Sequence, residues 1–154
     1  MMTFLLILHG LAAVALLGAI THQAASVLAP ARKPATSLAG RFRAVAGAPY
    51  ANAVVVLYVI SMILGGLIYP DYRIGIRGVL EELGLRAANG AFELKEHFVA
   101  VGLGMLPAYW LFWRQPLQDA HAGARRVITT MLAVIVWWGF LTGHIVNNIR
   151  GFGS

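Results

Sequence analysis

The sequence predicts an all-α fold, an integral membrane four-helix bundle, and three observations favour it. Of the 154 residues, 59% are hydrophobic and only 12% are charged, whereas soluble domains carry about a quarter charged residues. Four apolar runs follow one another, each near the roughly 20 residues that cross a bilayer core. Backbone groups in lipid must bond internally, and uninterrupted apolar runs then favour helices over a barrel. The four runs are Thr3–Leu28, Ala51–Tyr69, Phe98–Trp113 and Val127–Val146.

Each run predicts one element of a single domain. We expect the first to be a transmembrane helix rather than a signal peptide, because no Lys or Arg precedes Arg32 and the apolar stretch is long. The loop of residues 70–90 carries apolar residues at helical spacing, which predicts a short amphipathic helix on the outer surface. The predicted helices cover about 3–28, 51–69, 91–113 and 127–147 of the domain 1–154.

The basic residues predict the orientation of the helices. The loop after the first helix carries Arg32, Lys33, Arg41 and Arg43 and no acidic residue. Loops rich in Lys and Arg stay in the cytoplasm, so we expect both termini on the outer, periplasmic side of a bacterial inner membrane. The formal net charge of +6 is then mainly a topology signal. Its scattered distribution predicts no nucleic-acid partner.

The five histidines suggest where function lies. In this orientation His9, His97 and His144, on three different helices, reach one level toward the outer leaflet. His22 lies near the cytoplasmic end of the first helix, and His121 lies in a cytoplasmic loop. Neutral imidazole is a good ligand for iron, copper and zinc, and histidine is a common axial ligand of haem. The absence of cysteine excludes thiolate sites and iron–sulfur clusters.

We therefore expect at least one b-type haem between the helices, with two axial ligands drawn from these three histidines. His9 and His144 are the first choice, because both lie within the hydrocarbon and not at its edge. His97 is then an alternate ligand, a partner for a propionate or part of a quinone pocket. The cations available to the propionates near the outer surface are Arg73, Arg77 and Arg150.

Three alternatives stay open for these residues. The histidines would otherwise hold a bare metal ion, or only form hydrogen bonds between helices. A second haem is the third alternative, because His22 follows His9 by thirteen residues and Met131 precedes His144 by thirteen. Thirteen residues turn a straight helix by about 220°, so His9 and His22 point to different sides, which weighs against the second haem.

Two short stretches carry a resemblance to known families. The stretch "LHGLAAVALLGAITHQ" of the first helix and, more faintly, "FELK" at the start of the third helix resemble small bacterial membrane families. These are the copper-resistance-D-like proteins and the membrane protoporphyrinogen oxidases, which have four or five helices and a histidine in the first. The resemblance implies roles for His9 and Lys95 and the handling of haem or porphyrin. The chain lacks the Asn/Pro-containing segment expected near the start of its fourth helix.

Together these observations predict a cytochrome b-type subunit. It would transfer electrons between the quinone pool and a periplasmic or membrane redox partner, as part of a larger respiratory complex. One rival is a membrane oxidase that acts on porphyrin, in which Lys95 and Arg150 hold substrate carboxylates. The second rival is a cofactor-free accessory subunit whose histidines only bond helix to helix.

Overall fold

Helices form the described chain in the computed structural model, which describes residues 1–30, 36–114 and 119–152. The prediction of an all-α chain is confirmed, since these ranges contain no β-strand. The elements are α1 (Met2–Leu28), α2 (Leu38–Ala44), α3 (Tyr50–Asp71), a π-helical turn (Tyr72–Ile76), α4 (Arg77–Glu82), α5 (Arg86–Arg114) and α6 (Asp119–Phe152).

Three helical stretches in the described part of the chain are long and apolar enough to cross a membrane. They are Met2–Leu28, Tyr50–Glu82 and Ala120–Asn148. The third predicted run lies in α5, whose first half carries the charged residues Arg86, Glu93, Lys95 and Glu96. The apolar remainder, residues 98–113, is only about 24 Å long at 1.5 Å per residue. The three spans indicate a membrane protein.

The chain does not leave the helix after α3. Pro70 lies inside α3 and removes one backbone hydrogen bond there, and the π-helical turn that follows takes up the change of register. The amphipathic segment expected in the loop 70–90 is therefore continuous with α3 as far as Glu82. The chain turns only afterwards, at Gly84, whose φ of 72° is the left-handed conformation that commonly ends a helix.

The four long helices pack through apolar and small side chains. α1 packs against α3 and α6, and α5 packs against α6 and α3. The centre of the core is built from fully buried side chains, one from each of these helices: Ile20, Val54, Tyr109 and Leu132. A smaller cluster of Tyr72, Leu80 and Val146 lies where the π-helical turn, α4 and α6 meet.

In this core, Gly102 of α5 lies very close to the side chain of Tyr58 in α3. A Cβ atom at this position would collide with the hydroxyl of Tyr58 in α3. That hydroxyl donates a 2.9 Å hydrogen bond to the carbonyl oxygen of Val99. Glycine therefore lets Tyr58 reach the backbone of the neighbouring helix, as small residues do at helix contacts in membranes.

Candidate functional site

His9 lies half-buried at a point where helices meet. Its Nδ1 is 3.0 Å from the carbonyl oxygen of Ser61 in α3. A Cβ atom on Gly65, one turn further along α3, would come within 3.3 Å of the Cε1 of His9. Because a carbonyl oxygen only accepts hydrogen bonds, Nδ1 carries the proton and Nε2 keeps its lone pair. The imidazole is thus fixed against α3 with Nε2 as its basic nitrogen.

α5 carries an ion pair whose charges reach His9. The Nζ of Lys95 is 2.8 Å from an Oε of Glu96, and the Lys95 side chain is only 15% exposed. Both charges act on the imidazole of His9 through space. The stem of Lys95 also reaches α6, where a Cβ on Gly139 would lie 4.0 Å from its Cγ. Ionisable groups among membrane helices cost free energy, and a functional role is the usual first hypothesis for them. We therefore take His9, Lys95 and Glu96 as the candidate site.

His97 and His144 occupy more exposed positions than His9. The Nδ1 of His97 is 2.7 Å from the carbonyl oxygen of Glu93, one turn earlier in α5. The ring of His144 lies parallel to that of Phe140, with 6.1 Å between the ring centres. Among the described residues, no three His, Cys, Asp or Glu side chains form a group that could hold a metal ion. The pairing of His9 with His144 or His97 therefore stays a prediction.

The arginines expected near the propionates have different surroundings. Arg77 lies between two carboxylates, with nitrogen–oxygen distances of 2.8 Å to Glu81 and 2.7 Å to Glu93. Arg73 donates a 3.1 Å hydrogen bond to the hydroxyl of a tyrosine one turn earlier. The side chain of Arg150 lies outside the part that the structure describes. The positive charge of Arg77 is thus already matched, whereas Arg73 contacts a neutral group.

Asn89 connects this arginine cluster to α5. The hydroxyl of Tyr72 donates to its Oδ1 at 3.2 Å, and its Nδ2 donates to the carbonyl oxygen of Arg77 at 3.4 Å. The ring of Tyr72 stacks on Phe92 with 3.7 Å between centres. Asn89 is 7% exposed and holds the π-helical turn against α5. The sequence did not predict a role for Asn89, because one asparagine in a polar loop carries no signal.

His22 lies in a second polar cluster near the other end of α1. It is 3% exposed, and its Nε2 donates a 3.0 Å hydrogen bond to the carbonyl oxygen of Phe42. Its ring lies 4.8 Å from that of Phe42 and 4.5 Å from that of Tyr50, measured between centres. Met131 is 49% exposed. A second haem between His22 and Met131 stays a prediction.

Gln23 is the centre of this second cluster. It is fully buried, its Nε2 donates to the carbonyl oxygen of Gly47 at 2.9 Å, and its Oε1 accepts from the hydroxyl of Tyr109. Nearby, the indole of Trp113 donates to Thr129 at 3.0 Å. These contacts tie the loop before α3 to three helices. The available signal was an amide at the end of an apolar run, which needs a buried partner.

Comparison of the chain with protein-family models, with curated proteins and with solved structures finds no match. The resemblance to the two membrane families stays a prediction.

Proposed function

We propose that this protein is an integral membrane haem protein, an electron-transfer subunit in which His9 is an axial ligand. The observation that carries the proposal is the hydrogen bond between the Nδ1 of His9 and the carbonyl of Ser61. Metal-bound histidines almost always donate their other ring nitrogen in this way, because the bond fixes the tautomer and the ring orientation. A histidine that only joined two helices could form the same hydrogen bond. The charges of Lys95 and Glu96, which act on His9, favour a functional role, because ionisable groups among membrane helices are usually functional.

Each of the two proposed ligands, His9 and His144, has a glycine next to it in the chain. A Cβ atom built on Gly10 or Gly143 would meet no heavy atom within 4 Å, so these helix surfaces leave space for a flat ring. Neutral imidazole nitrogen is a preferred axial donor for haem iron. The second axial ligand in this proposal is His144, with His97 as the alternate. Arg73, which bonds a neutral hydroxyl, would bind one propionate, and Lys95 would exchange Glu96 for the other.

In this proposal the haem supplies one-electron chemistry between a quinone and a redox partner. The residues of the chain orient the imidazole and balance the charge of the carboxylates. Glu96 pairs with the ammonium of Lys95 at 2.8 Å until a propionate replaces it. The chain has little mass outside its long helices, so we propose that its electron donor or acceptor is another subunit of a larger membrane complex.

The membrane arrangement in this proposal is a bundle of four crossings with both termini on the periplasmic side of a bacterial inner membrane. The contacts of α5 with α3 and α6 support its role as the fourth crossing, because its charged first half then lies beside His9 and not in lipid. Arg41 and Arg43, which follow α1, and Arg125 and Arg126, in the first part of α6, would face the cytoplasm, as the positive-inside rule predicts.

A second candidate is a membrane oxidase that acts on a porphyrin, and one observation favours it. The resemblance to the protoporphyrinogen oxidases implies roles for His9 and Lys95, and Lys95 lies close enough for its charge to act on the His9 imidazole. In this version Lys95 binds a carboxylate of the porphyrin substrate rather than a haem propionate. Such an enzyme would turn over substrate without a protein partner.

The test of the first proposal is a reduced-minus-oxidised absorption spectrum of the purified protein, with a pyridine haemochrome to count haem per chain. We expect a sharp reduced α-band and about one haem per chain, as for a single bis-histidine site. His9→Asn keeps a donor that can reach the carbonyl of Ser61 but removes the imidazole, and it should abolish haem binding. His121→Asn is the matched control and should keep it.

Two outcomes would contradict the proposal. A wild-type protein that stays colourless after reconstitution with haem rules out the cytochrome. A His9→Asn variant with full haem content rules out His9 as the ligand. Turnover of protoporphyrinogen by the purified protein would favour the second candidate, and Lys95→Gln should then lower turnover while haem content stays unchanged. Size-exclusion chromatography of each variant reports whether it is folded.

A further inference from the structure

The short helix α2 and Val45, the residue that follows it, expose three apolar side chains. Leu38, Phe42 and Val45 are 84%, 47% and 46% exposed. Their spacing of four and three residues puts them on one side of the helix. Gly40, the buried residue of α2, lies on the opposite side. The apolar side of α2 is therefore its outer side.

The backbone of this region is fixed to α1. The Nε2 of His22 donates to the carbonyl of Phe42 at 3.0 Å, and the Nε2 of Gln23 donates to the carbonyl of Gly47 at 2.9 Å. The start of α2 is capped, since the Oγ of Ser37 accepts from the N–H of Gly40 at 3.0 Å. These bonds hold α2 beside the end of a helix that is long and apolar enough to cross a membrane. They also keep the apolar side from turning inward.

The charges of α2 are of one sign. Arg41 and Arg43 lie in its last turn, and no Asp or Glu precedes Asp71 in the sequence. The same end of the molecule carries Arg125, whose guanidinium lies 5.7 Å from the ring of Trp113. Basic residues flanking apolar ones match the chemistry of an anionic membrane surface.

We propose that α2 is an interfacial helix that binds anionic phospholipid headgroups through Arg41 and Arg43, while Leu38, Val45 and the exposed edge of Phe42 enter the acyl region. The hydrogen bonds from His22 and Gln23 hold it at the depth where both contacts form. This role is independent of the haem proposal, because none of these residues belongs to the site around His9.

The sequence contains no cysteine, so single labels test the proposal cleanly. Leu38→Cys, labelled with an environment-sensitive fluorophore, is reconstituted into phosphatidylcholine vesicles that contain brominated phosphatidylglycerol or brominated phosphatidylcholine at equal fractions. Leu38 is 84% exposed, so its replacement removes little packing. The control is the same label at Leu83→Cys. Leu83 is 63% exposed and follows α4.

We expect blue-shifted emission from the label at position 38 and stronger quenching by the brominated anionic lipid. Arg41→Gln and Arg43→Gln should each lower that preference about fivefold, the contribution of one basic residue near an anionic surface. Arg86→Gln, far along the chain, should leave it unchanged. Excess inorganic phosphate should not compete if the ligand is a lipid headgroup, and competition by phosphate would assign the arginines to a free anion instead.

Besides competition by phosphate, three results would overturn the proposal. Water-like emission without quenching means that α2 lies in water. Blue-shifted emission that neither lipid quenches and that depends on protein density means that a second copy covers α2. Equal quenching by both lipids means that the arginines do not select anionic headgroups.

Discussion

Replacing Gly102 by alanine tests a tight contact between α5 and α3. The added Cβ would collide with the hydroxyl of Tyr58 and would lie 2.9 Å from its Cζ and 3.3 Å from a methyl carbon of Ile135. Tyr58 is 3% exposed, so its ring is enclosed by neighbours, and a shift of its hydroxyl away from the new Cβ would break its bond to the carbonyl of Val99. Gly104→Ala is the matched control, because a Cβ there meets no heavy atom within 4 Å.

The expected cost follows from three contributions. Overpacking a well-packed core costs about 1–3 kcal/mol, and a lost hydrogen bond between membrane helices adds about 0.6 kcal/mol. Alanine in place of glycine returns about 0.5–1 kcal/mol of helix stability. Gly102→Ala should therefore lower the free energy of unfolding by about 1–3 kcal/mol. Gly104→Ala should leave it unchanged or raise it slightly.

The assay is unfolding in mixed micelles by titration with a denaturing detergent, followed by far-ultraviolet circular dichroism. Tyr58→Phe removes the colliding oxygen but not the ring, so it should reduce the cost of Gly102→Ala by about 1 kcal/mol, a typical coupling between residues in contact. Equal unfolding midpoints for the two alanine variants would refute the packing argument. A cost for Gly102→Ala that is unchanged by Tyr58→Phe would show that Tyr58 is not the obstacle.

Three further variants test other contacts in the same unfolding assay. Gly47→Ala brings a Cβ within 2.8 Å of the ring of Trp113 and should cost about 1–3 kcal/mol by overpacking; an unchanged midpoint would contradict this. Gln23→Leu leaves the buried hydroxyl of Tyr109 without its acceptor and should cost about 1–3 kcal/mol, so a neutral result would argue against that bond. Arg77→Gln breaks partly exposed ion pairs and should lower the unfolding midpoint only slightly, with the loss shrinking as salt is added; a large loss that salt does not change would contradict the view that these pairs are exposed.

The apolar pattern of the sequence was sufficient to predict most of the helices but not every end. The predicted first run begins at Thr3 and the helix α1 begins at Met2, and both end at Leu28. The end of the second helix was harder, since Pro70 and Asp71 are usual signals of termination. The helix continues because the π-helical turn and the packing of Tyr72 and Leu80 compensate for the missing backbone bond. Such tertiary contacts have no local signature.

The candidate site was predictable only in its residue types. An imidazole in an apolar helix is unusual, so His9 could be singled out from the sequence. Its partner could not, because it is the backbone carbonyl of Ser61 and every residue has such a carbonyl. The proximity of Lys95 depends on which helices pack together and at what height, which a single sequence does not encode in any short motif. Gln23 and Tyr109 lie 86 positions apart, so their pairing likewise needed the fold.

The continuous helix from Tyr50 to Glu82 has a mechanical consequence. Its 33 residues extend about 50 Å at 1.5 Å per residue, whereas the hydrocarbon core is about 30 Å thick. An average tilt of about 20° shortens the projection only slightly. One end of this helix therefore extends into the headgroup layer or the water beyond it. Asn89 of α5 holds that end through the hydroxyl of Tyr72 and the carbonyl of Arg77, so it stays packed against the rest of the protein and does not project alone.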